Sequence, residues 1–167
     1  VDHLLDAPLL FPNGWEPGNH RDKYDGEFTL IDALAISINT VAVRLAQIDG
    51  VSRVVDMARR IGISTPHLPE DLSLALGTAS VTPLEMSVAY STFANNGYKI
   101  EPYGIKEVRG KNGESIEQNG PKLANAISVT TAVATRSMLE QVALWGTRAK
   151  AKVEGYQTFG KTETTND

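Results

Sequence analysis

The chain has 167 residues, of which 41% are hydrophobic and 22% charged, and its formal net charge is −4. This length and composition fit one globular domain with a sizeable core. Acidic and basic residues are mixed without a basic stripe, which argues against nucleic acid as a partner. Cysteine is absent, which excludes disulfides, thiolate metal sites and a cysteine nucleophile.

Other simple classes are equally poorly supported. No apolar run approaches the length that spans a bilayer, and the first residues lack the basic start of a signal peptide. Since the chain does not begin with methionine, we expect it to be part of a longer protein, with any export signal outside it. His3, His20 and His67 have no partner at ligand spacing, so we predict no metal site and no cofactor.

The first part of the chain has the composition of a loop. Residues 1–28 are rich in Pro, Gly, Asn and Asp, which favours turns and irregular backbone. Phe11 and Trp15 are the side chains expected to anchor this region. Thr29 then begins a helix, because a threonine followed three residues later by Asp32 is typical of a helix N-terminus.

Apolar residues recur at three- and four-residue steps after this start, but a polar junction interrupts them. We therefore predict two helices, roughly 30–36 and 40–48, that meet where Ser37 and Asn39 are held. The alternative is that Ser37 or Asn39 simply caps a helix. The predicted core-facing stripe consists of Leu30, Leu34, Ile38, Val41, Leu45 and Ile48.

Two further helices are predicted downstream. One runs from Val51 to Ile61 and is stopped by Gly62, and residues 62–80 are expected to be irregular. The next helix begins at Thr82, where a following proline and Glu85 form the signature of a capping box. Its predicted buried stripe consists of Met86, Ala89, Tyr90 and Phe93.

The last third of the chain mixes strands and one long helix. Tyr103 to Ile116 predicts two short strands around an Asn-Gly turn. Ser128 caps a helix to about Trp145, which Gly146 breaks before a final strand. The residues of this helix expected to face the core are Ala132, Leu139, Val142 and Ala143.

The final segment, residues 160–167, combines a lysine, three threonines and an asparagine after the β-leaning run 156–159. We predict a strand with an anion-binding edge. Lys161 supplies a positive charge, and alternation along a strand puts Thr162 and Thr164 on one face, where two hydroxyls can hold a carboxylate. The alternative is a polar strand end that continues into a disordered tail.

Serine-based acyl transfer needs a nucleophilic serine, an activating base and donors for the oxyanion. In one arrangement the base is a lysine one helical turn after the serine, written SxxK. None of the serines in this chain has a lysine three positions later. Ser37 and Lys161 can therefore act only as a second serine and a second lysine, and the nucleophile is not among these residues.

Two motifs and their surroundings carry a family resemblance. Ser37-Ile38-Asn39 resembles an SxN motif, and Lys161–Thr164 resembles a KTGT motif with Glu163 in place of glycine. Both motifs belong to the transpeptidase domain of penicillin-binding proteins. Longer stretches, Leu76–Met86 and Ala89–Gly97, resemble the class A, bifunctional branch of that family. The resemblance covers nearly the whole chain.

The resemblance implies an α/β (α+β) fold of the serine β-lactamase/transpeptidase type, helix-rich with a few antiparallel strands. Residues 1–167 would form one partial transpeptidase domain, truncated at both ends. The parent protein would be a D,D-transpeptidase at the periplasmic or extracytoplasmic face of the bacterial inner membrane. It would cross-link peptidoglycan stem peptides by acyl transfer and bind β-lactams, with no cofactor. The isolated chain is expected to be inactive.

The family's site roles carry over to five residues. Ser37 resembles the serine that relays a proton to the leaving amine, and Asn39 the amide that binds the donor peptide. Lys161 resembles the cleft lysine that tunes this serine and attracts the substrate carboxylate. Thr162 and Thr164 resemble its hydroxyl ligands, and the Thr164 N–H resembles half of the oxyanion hole.

Departures from the family pattern leave alternatives open. Glu163 shares a strand face with Lys161 and adds bulk and negative charge, so we expect it to weaken turnover. The chain could instead be a non-catalytic binding or structural module that keeps the cleft but not the chemistry. A β-lactamase-like hydrolase, which needs a water-activating base for deacylation, is the third possibility. An exposed strand edge and helix face predict that the remainder of the domain, or a second copy, covers this chain.

Overall fold

The computed structural model describes residues 3–145 and 153–162, except for the side chain of residue 21. Helices predominate and the strands form antiparallel pairs, as predicted. The helices are α1 (Leu30–Ile36), α2 (Asn39–Asp49), α3 (Val51–Ile61), α4 (Pro83–Ala94) and α5 (Val129–Trp145). The strands are β1 (His3–Asp6), β2 (Gly26–Thr29), β3 (Tyr98–Glu101), β4 (Glu107–Arg109), β5 (Ser115–Gln118) and β6 (Lys122–Asn125). They pair as β1–β2, β3–β6 and β4–β5.

The long helix α5 forms the centre of the core, because it packs against both α1 and α4. Its start is capped as predicted, since the Thr131 N–H donates to Ser128 Oγ at 3.0 Å. Small buried side chains on α1 let the helices approach closely. The inward-facing residues predicted for α5, namely Ala132, Leu139, Val142 and Ala143, are all buried.

The starts of α1 and α4 are fixed by local side-chain caps, which confirms the sequence predictions. At α1 the Asp32 N–H donates to Thr29 Oγ1 at 3.1 Å. At α4 the Glu85 N–H donates to Thr82 Oγ1 at 3.2 Å and the Thr82 N–H donates to Glu85 Oε2 at 2.9 Å. This reciprocal pair is a complete capping box with proline at the first helical position. Gly62 ends α3, also as predicted.

Besides capping α4, the Glu85 carboxylate connects α4 to the segment that follows α3. Its Oε1 atom accepts from the Ser64 N–H at 2.8 Å and from Ser64 Oγ at 2.7 Å. These donors stabilise the ionised form. Hydrogen bonds from the Thr82 N–H, then the Ser64 and Thr82 hydroxyls, lower the pKa of Glu85 from 4.5 to about 2.

Because the pKa of Glu85 is lowered in the folded state, its contribution to stability is present above about pH 4.5 and is lost as the pH falls toward 2. We expect Glu85→Gln to lower the melting temperature at pH 7 and to flatten its decline between pH 4.5 and 2. Thermal melting across this range tests the expectation. Glu70→Gln, at an exposed loop position, is the control, and equal pH profiles for the two variants would contradict it.

The prediction that residues 1–28 form only a loop is wrong. β1 and β2 pair in antiparallel register, from His3 opposite Thr29 to Asp6 opposite Gly26. The two strands have four residues each and are separated by Pro- and Gly-rich sequence, so local composition conceals a pairing that is non-local. Phe11 and Trp15 do pack, but against each other, with ring centroids 5.1 Å apart.

The predicted stripe on α2 is only partly correct. Val41 is buried, whereas Leu45 is 36% and Ile48 63% exposed. The left-handed backbone at Ser37 breaks the helix, so a stripe drawn through α1 and α2 as one helix loses its phase. The buried face of α2 instead consists of Thr40, Val41, Val43 and Ala46. Met86 on α4 is likewise 40% exposed.

Of the strand predicted over residues 160–167, only 160–162 are described and they form no strand, nor does the preceding run 156–159; residues 163–167 lie outside the described residues. A strand needs a neighbour for its backbone groups. Here the Tyr156 N–H donates to the Val153 carbonyl in a turn, and the Gly160 N–H donates to the Leu139 carbonyl of α5 at 3.4 Å. The predicted hairpin exists as β4–β5, whereas the β3–β6 pair was not predicted. The break predicted at Gly146 lies outside the described residues.

Candidate functional site

Ser37 lies at the sharp turn between α1 and α2. It is the C-cap of α1, with φ 62° and ψ 52°, a left-handed conformation that is uncommon for residues other than glycine. The Ser37 N–H donates to the Leu34 carbonyl at 3.3 Å, and the next N–H, of Ile38, donates to Ala33 at 2.9 Å. Strained residues of this kind cluster at functional sites.

Lys161 approaches this turn from the other end of the chain. Its Nζ donates to Ser37 Oγ at 2.5 Å and to its neighbour's carbonyl oxygen, that of Thr162, at 2.6 Å. Both side chains are partly buried, where a charge-assisted hydrogen bond is stronger than in water. The structure therefore brings together the serine and the lysine that the sequence singled out, across 124 positions.

This contact has a chemical consequence. A hydroxyl oxygen that accepts from an ammonium group still carries its own proton, which it can donate to a third group. The lysine and serine can thus form a two-member proton chain that starts from a fixed positive charge. Such a chain suits the protonation of a leaving group in acyl transfer.

Of the other predicted site residues, some are described by the structure and some are not. Asn39 is the first residue of α2, and its Nδ2 donates to the Gly18 carbonyl at 2.8 Å, so the N-terminal loop orients its carboxamide. Thr162 is partly buried and contacts Lys161 through its carbonyl oxygen. Thr164 and Glu163 lie outside the described residues.

Sequence reasoning missed a buried polar cluster beside this turn. Asp6 is 1% exposed, Asn19 8% and Thr40 0%. They are hydrogen-bonded to one another although they lie 13 to 34 positions apart in the chain. The sequence offers no local signal for the cluster, because its members belong to a strand, a loop and a helix that meet only in the fold.

In residues 3–145 and 153–162, no group of three or more His, Asp or Glu side chains is arranged to hold a metal ion. In the same part of the chain, no helix is long and apolar enough to cross a membrane.

The arrangement of helices and strands is that of the serine β-lactamase/transpeptidase fold class. Penicillin-binding protein 1A from Haemophilus influenzae is a structural relative: the match has a TM-score of 0.78 and 28% identity, and covers 95% of this chain and 28% of that one. The penicillin-binding protein PonA1 from Mycobacterium tuberculosis superposes with a TM-score of 0.87 over 98% of this chain and 47% of that one. At 22% identity, PonA1 supports the fold alone.

The family follows from sequence. The profile of the family described as penicillin binding protein transpeptidase domain matches residues 7–166, so the chain belongs to this family. Penicillin-binding protein 1A of Aquifex aeolicus is 39% identical over 92% of this chain and 21% of its own length. The Neisseria lactamica protein of the same name is 37% identical over 98% and 22%. The resemblance to the class A branch is thereby confirmed, and the chain spans about a fifth of the length of these relatives.

Proposed function

We propose that this chain forms one wall of the cleft of a D,D-transpeptidase that cross-links peptidoglycan stem peptides by acyl transfer. The observation that carries the proposal is the 2.5 Å contact between Lys161 Nζ and Ser37 Oγ. It joins the SxN-like and KTG-like segments of a chain that belongs to the transpeptidase family. The nucleophilic serine would come from residues of the complete protein outside this sequence.

In the proposed reaction, the nucleophilic serine gives its proton to the activating base that accompanies it and attacks the carbonyl of the terminal D-Ala-D-Ala bond; the C–N bond then breaks and the acyl-enzyme remains. The leaving amine takes the proton of the Ser37 hydroxyl, and Lys161 returns a proton to the Ser37 oxygen. Asn39 holds the donor peptide backbone. The Thr162 and Thr164 hydroxyls bind its terminal carboxylate, with Lys161 as the nearby positive charge. β-Lactams would acylate the nucleophilic serine.

We propose that the site lies outside the cytoplasm and is covered by further protein surface. A peptidoglycan substrate places the site at the periplasmic or extracytoplasmic face of the inner membrane. The remainder of the transpeptidase domain, or a second copy of the chain, would cover α5, whose exposed apolar side chains support such a contact. These side chains are Val129, Val133, Leu144 and Trp145, all between 43% and 52% exposed.

The proposal is tested with a fluorescent penicillin on the complete protein that contains this sequence. We expect a covalent adduct, located by peptide mass spectrometry on a serine outside residues 1–167. Ser37→Ala should slow its formation by about 100-fold, a typical contribution of a proton-transfer group. Ser115→Ala, at an exposed position on β5, is the control. Absence of an adduct would favour a non-catalytic module, and rapid hydrolysis of the adduct would favour a β-lactamase.

Glu163 provides a second prediction within this proposal. In place of the family's glycine it puts a negative charge two positions from Lys161, where it would oppose an incoming carboxylate by about 1 kcal/mol or more, the repulsion of two like charges about 4 Å apart in water. We expect Glu163→Gly in the complete protein to raise the rate of penicillin acylation. Glu163→Gln, which removes charge but keeps bulk, separates the two effects, and no gain in either variant would contradict the prediction.

A further inference from the structure

The start of α2 has a capping problem. The first N–H groups of a helix have no partner within the helix and need acceptors from elsewhere. The N-cap of α2 is Ile38, whose side chain has no acceptor, and α2 lacks a local side-chain cap. The nearest hydroxyl that precedes the helix belongs to Ser37, and it accepts from Lys161.

A loop from far upstream supplies the missing acceptor. The Thr40 N–H, at the second position of α2, donates to Asn19 Oδ1 at 3.2 Å. The neighbouring carbonyl, that of Gly18, accepts from Asn39 Nδ2 at 2.8 Å. The same two loop residues therefore cap the helix and orient the amide of the SxN-like segment.

Asp6 fixes this remote cap in place. Its Oδ1 atom accepts from Asn19 Nδ2 at 2.6 Å and from Thr40 Oγ1 at 2.5 Å. Its Oδ2 atom accepts from the Asp25 N–H at 2.9 Å. Three donors satisfy a carboxylate that is almost completely buried, and a fully satisfied network of this kind makes its surroundings rigid.

We propose that Asp6, Asn19 and Thr40 are positioning residues for the transpeptidase site: Asn19 caps α2 from outside, Asp6 and Thr40 hold Asn19 in place, and the Ser37 hydroxyl is thereby left to Lys161. This inference rests on the proposed function. Serine hydroxyls readily bond to N–H groups two or three residues ahead. Without the cap from Asn19, the Ser37 hydroxyl would compete for the exposed N–H groups of α2 and turn away from Lys161.

The chain offers a matched control for the test. Thr40 and Thr92 are both fully buried helical threonines. Thr92 Oγ1 donates to the carbonyls of Ile61 and Val88, where α4 meets α3, and it has no contact with the site. Thr40→Val and Thr92→Val thus each remove one buried hydroxyl at nearly constant volume, but only the first disturbs the cap of α2.

We expect Thr40→Val in the complete protein to lower the rate of acylation by fluorescent penicillin by about tenfold or more, since a misplaced catalytic group loses rate steeply. The acylation rate of Thr92→Val should stay within about twofold of the wild-type rate, even where its melting temperature falls as much as that of Thr40→Val, because Thr92→Val leaves the site geometry intact. Thr40→Ser, which restores the hydroxyl, should recover most of the rate. Asn19→Ala should reproduce the effect of Thr40→Val.

The measurements distinguish a failure of the positioning role from a failure of the proposed function. If the wild type is labelled, but the rates of Thr40→Val and Thr92→Val fall in proportion to the decrease in their melting temperatures, the positioning role alone is overturned. A Thr40→Ser variant as slow as Thr40→Val would also overturn it. A wild type that is not labelled at all would overturn the proposed function and this inference with it. If Asn19→Ala does not fold, the comparison of the three threonine variants still decides.

Discussion

Replacing Lys161 with methionine in the complete protein is expected to lower the rate of penicillin acylation by about 100-fold or more, the loss usual for a group that stabilises charge in the transition state. Methionine keeps much of the apolar stem but removes the ammonium group. The variant therefore loses the hydrogen bonds to Ser37 Oγ and to the Thr162 carbonyl. It also loses the positive charge proposed to attract the substrate carboxylate.

The measurement is the time course of labelling by a fluorescent penicillin, with folding checked by circular dichroism. Lys111→Met is the matched control, because Lys111 lies in the exposed β4–β5 turn and its loss changes net charge equally. Lys161→Arg separates charge from geometry, since a planar guanidinium does not replace a compact ammonium. Labelling at the wild-type rate in Lys161→Met would refute the assignment of Lys161.

The second large effect is expected at Gly97, where Gly97→Ala should destabilise the domain by about 3 kcal/mol or more, as other severe steric substitutions do. Gly97 follows α4 with φ 93°. An added Cβ would lie 2.3 Å from the Ile127 carbonyl oxygen and 3.1 Å from its carbon. Both are backbone atoms, so no rotamer change relieves the clash.

Gly97 also joins two parts of the fold, which is why the clash cannot be avoided by a local shift. Its carbonyl accepts from the Ala126 N–H at 2.9 Å and the Ile127 N–H at 3.2 Å. These bonds tie the turn after α4 to the segment that leads into α5. Moving either of these segments to admit a methyl group would separate α4 from the start of the central helix, α5.

Gly113→Ala is the matched control. Gly113 has a similar φ of 84°, but no atom lies within 4 Å of its added Cβ. It should cost only about 1 kcal/mol, the strain of a left-handed backbone. Hydrogen–deuterium exchange of the α4 and α5 amides in the complete protein measures both variants. Equal protection in the two would show that the contact with Ile127 does not restrict this position.

Much of the helical framework could be predicted because its signals are local. Thr82 and Glu85 lie three residues apart and bond to each other in the structure, and Thr29 caps α1 in the same way. The strands were harder to predict. β1 and β2 pair across an intervening region whose composition is that of a loop, so no local sequence signal indicates that they are partners. Such pairings depend on tertiary contacts rather than on local preference.

The candidate site likewise has residues that the sequence indicates and residues that only the fold brings together. Ser37 and Lys161 are predicted as site residues because two short motifs resemble those of a family, and no spacing rule predicts a distance of 2.5 Å between them. The Asp6 carboxylate, which holds the α2 cap, had no motif to mark it. Its role depends on burial and on three donors from separate segments, and these become visible only in three dimensions.

The distance along the chain between Ser37 and Lys161, 124 positions, has a consequence for folding. Helices form from neighbouring residues, whereas a contact between residues so far apart carries a loop-closure cost that must be met before the contact stabilises the chain. We therefore expect the contact between Lys161 and Ser37 to be among the last to form. When the complete protein is refolded, the recovery of penicillin labelling should lag behind the helical signal, so the antibiotic itself reports when the newly made wall of the cleft is complete.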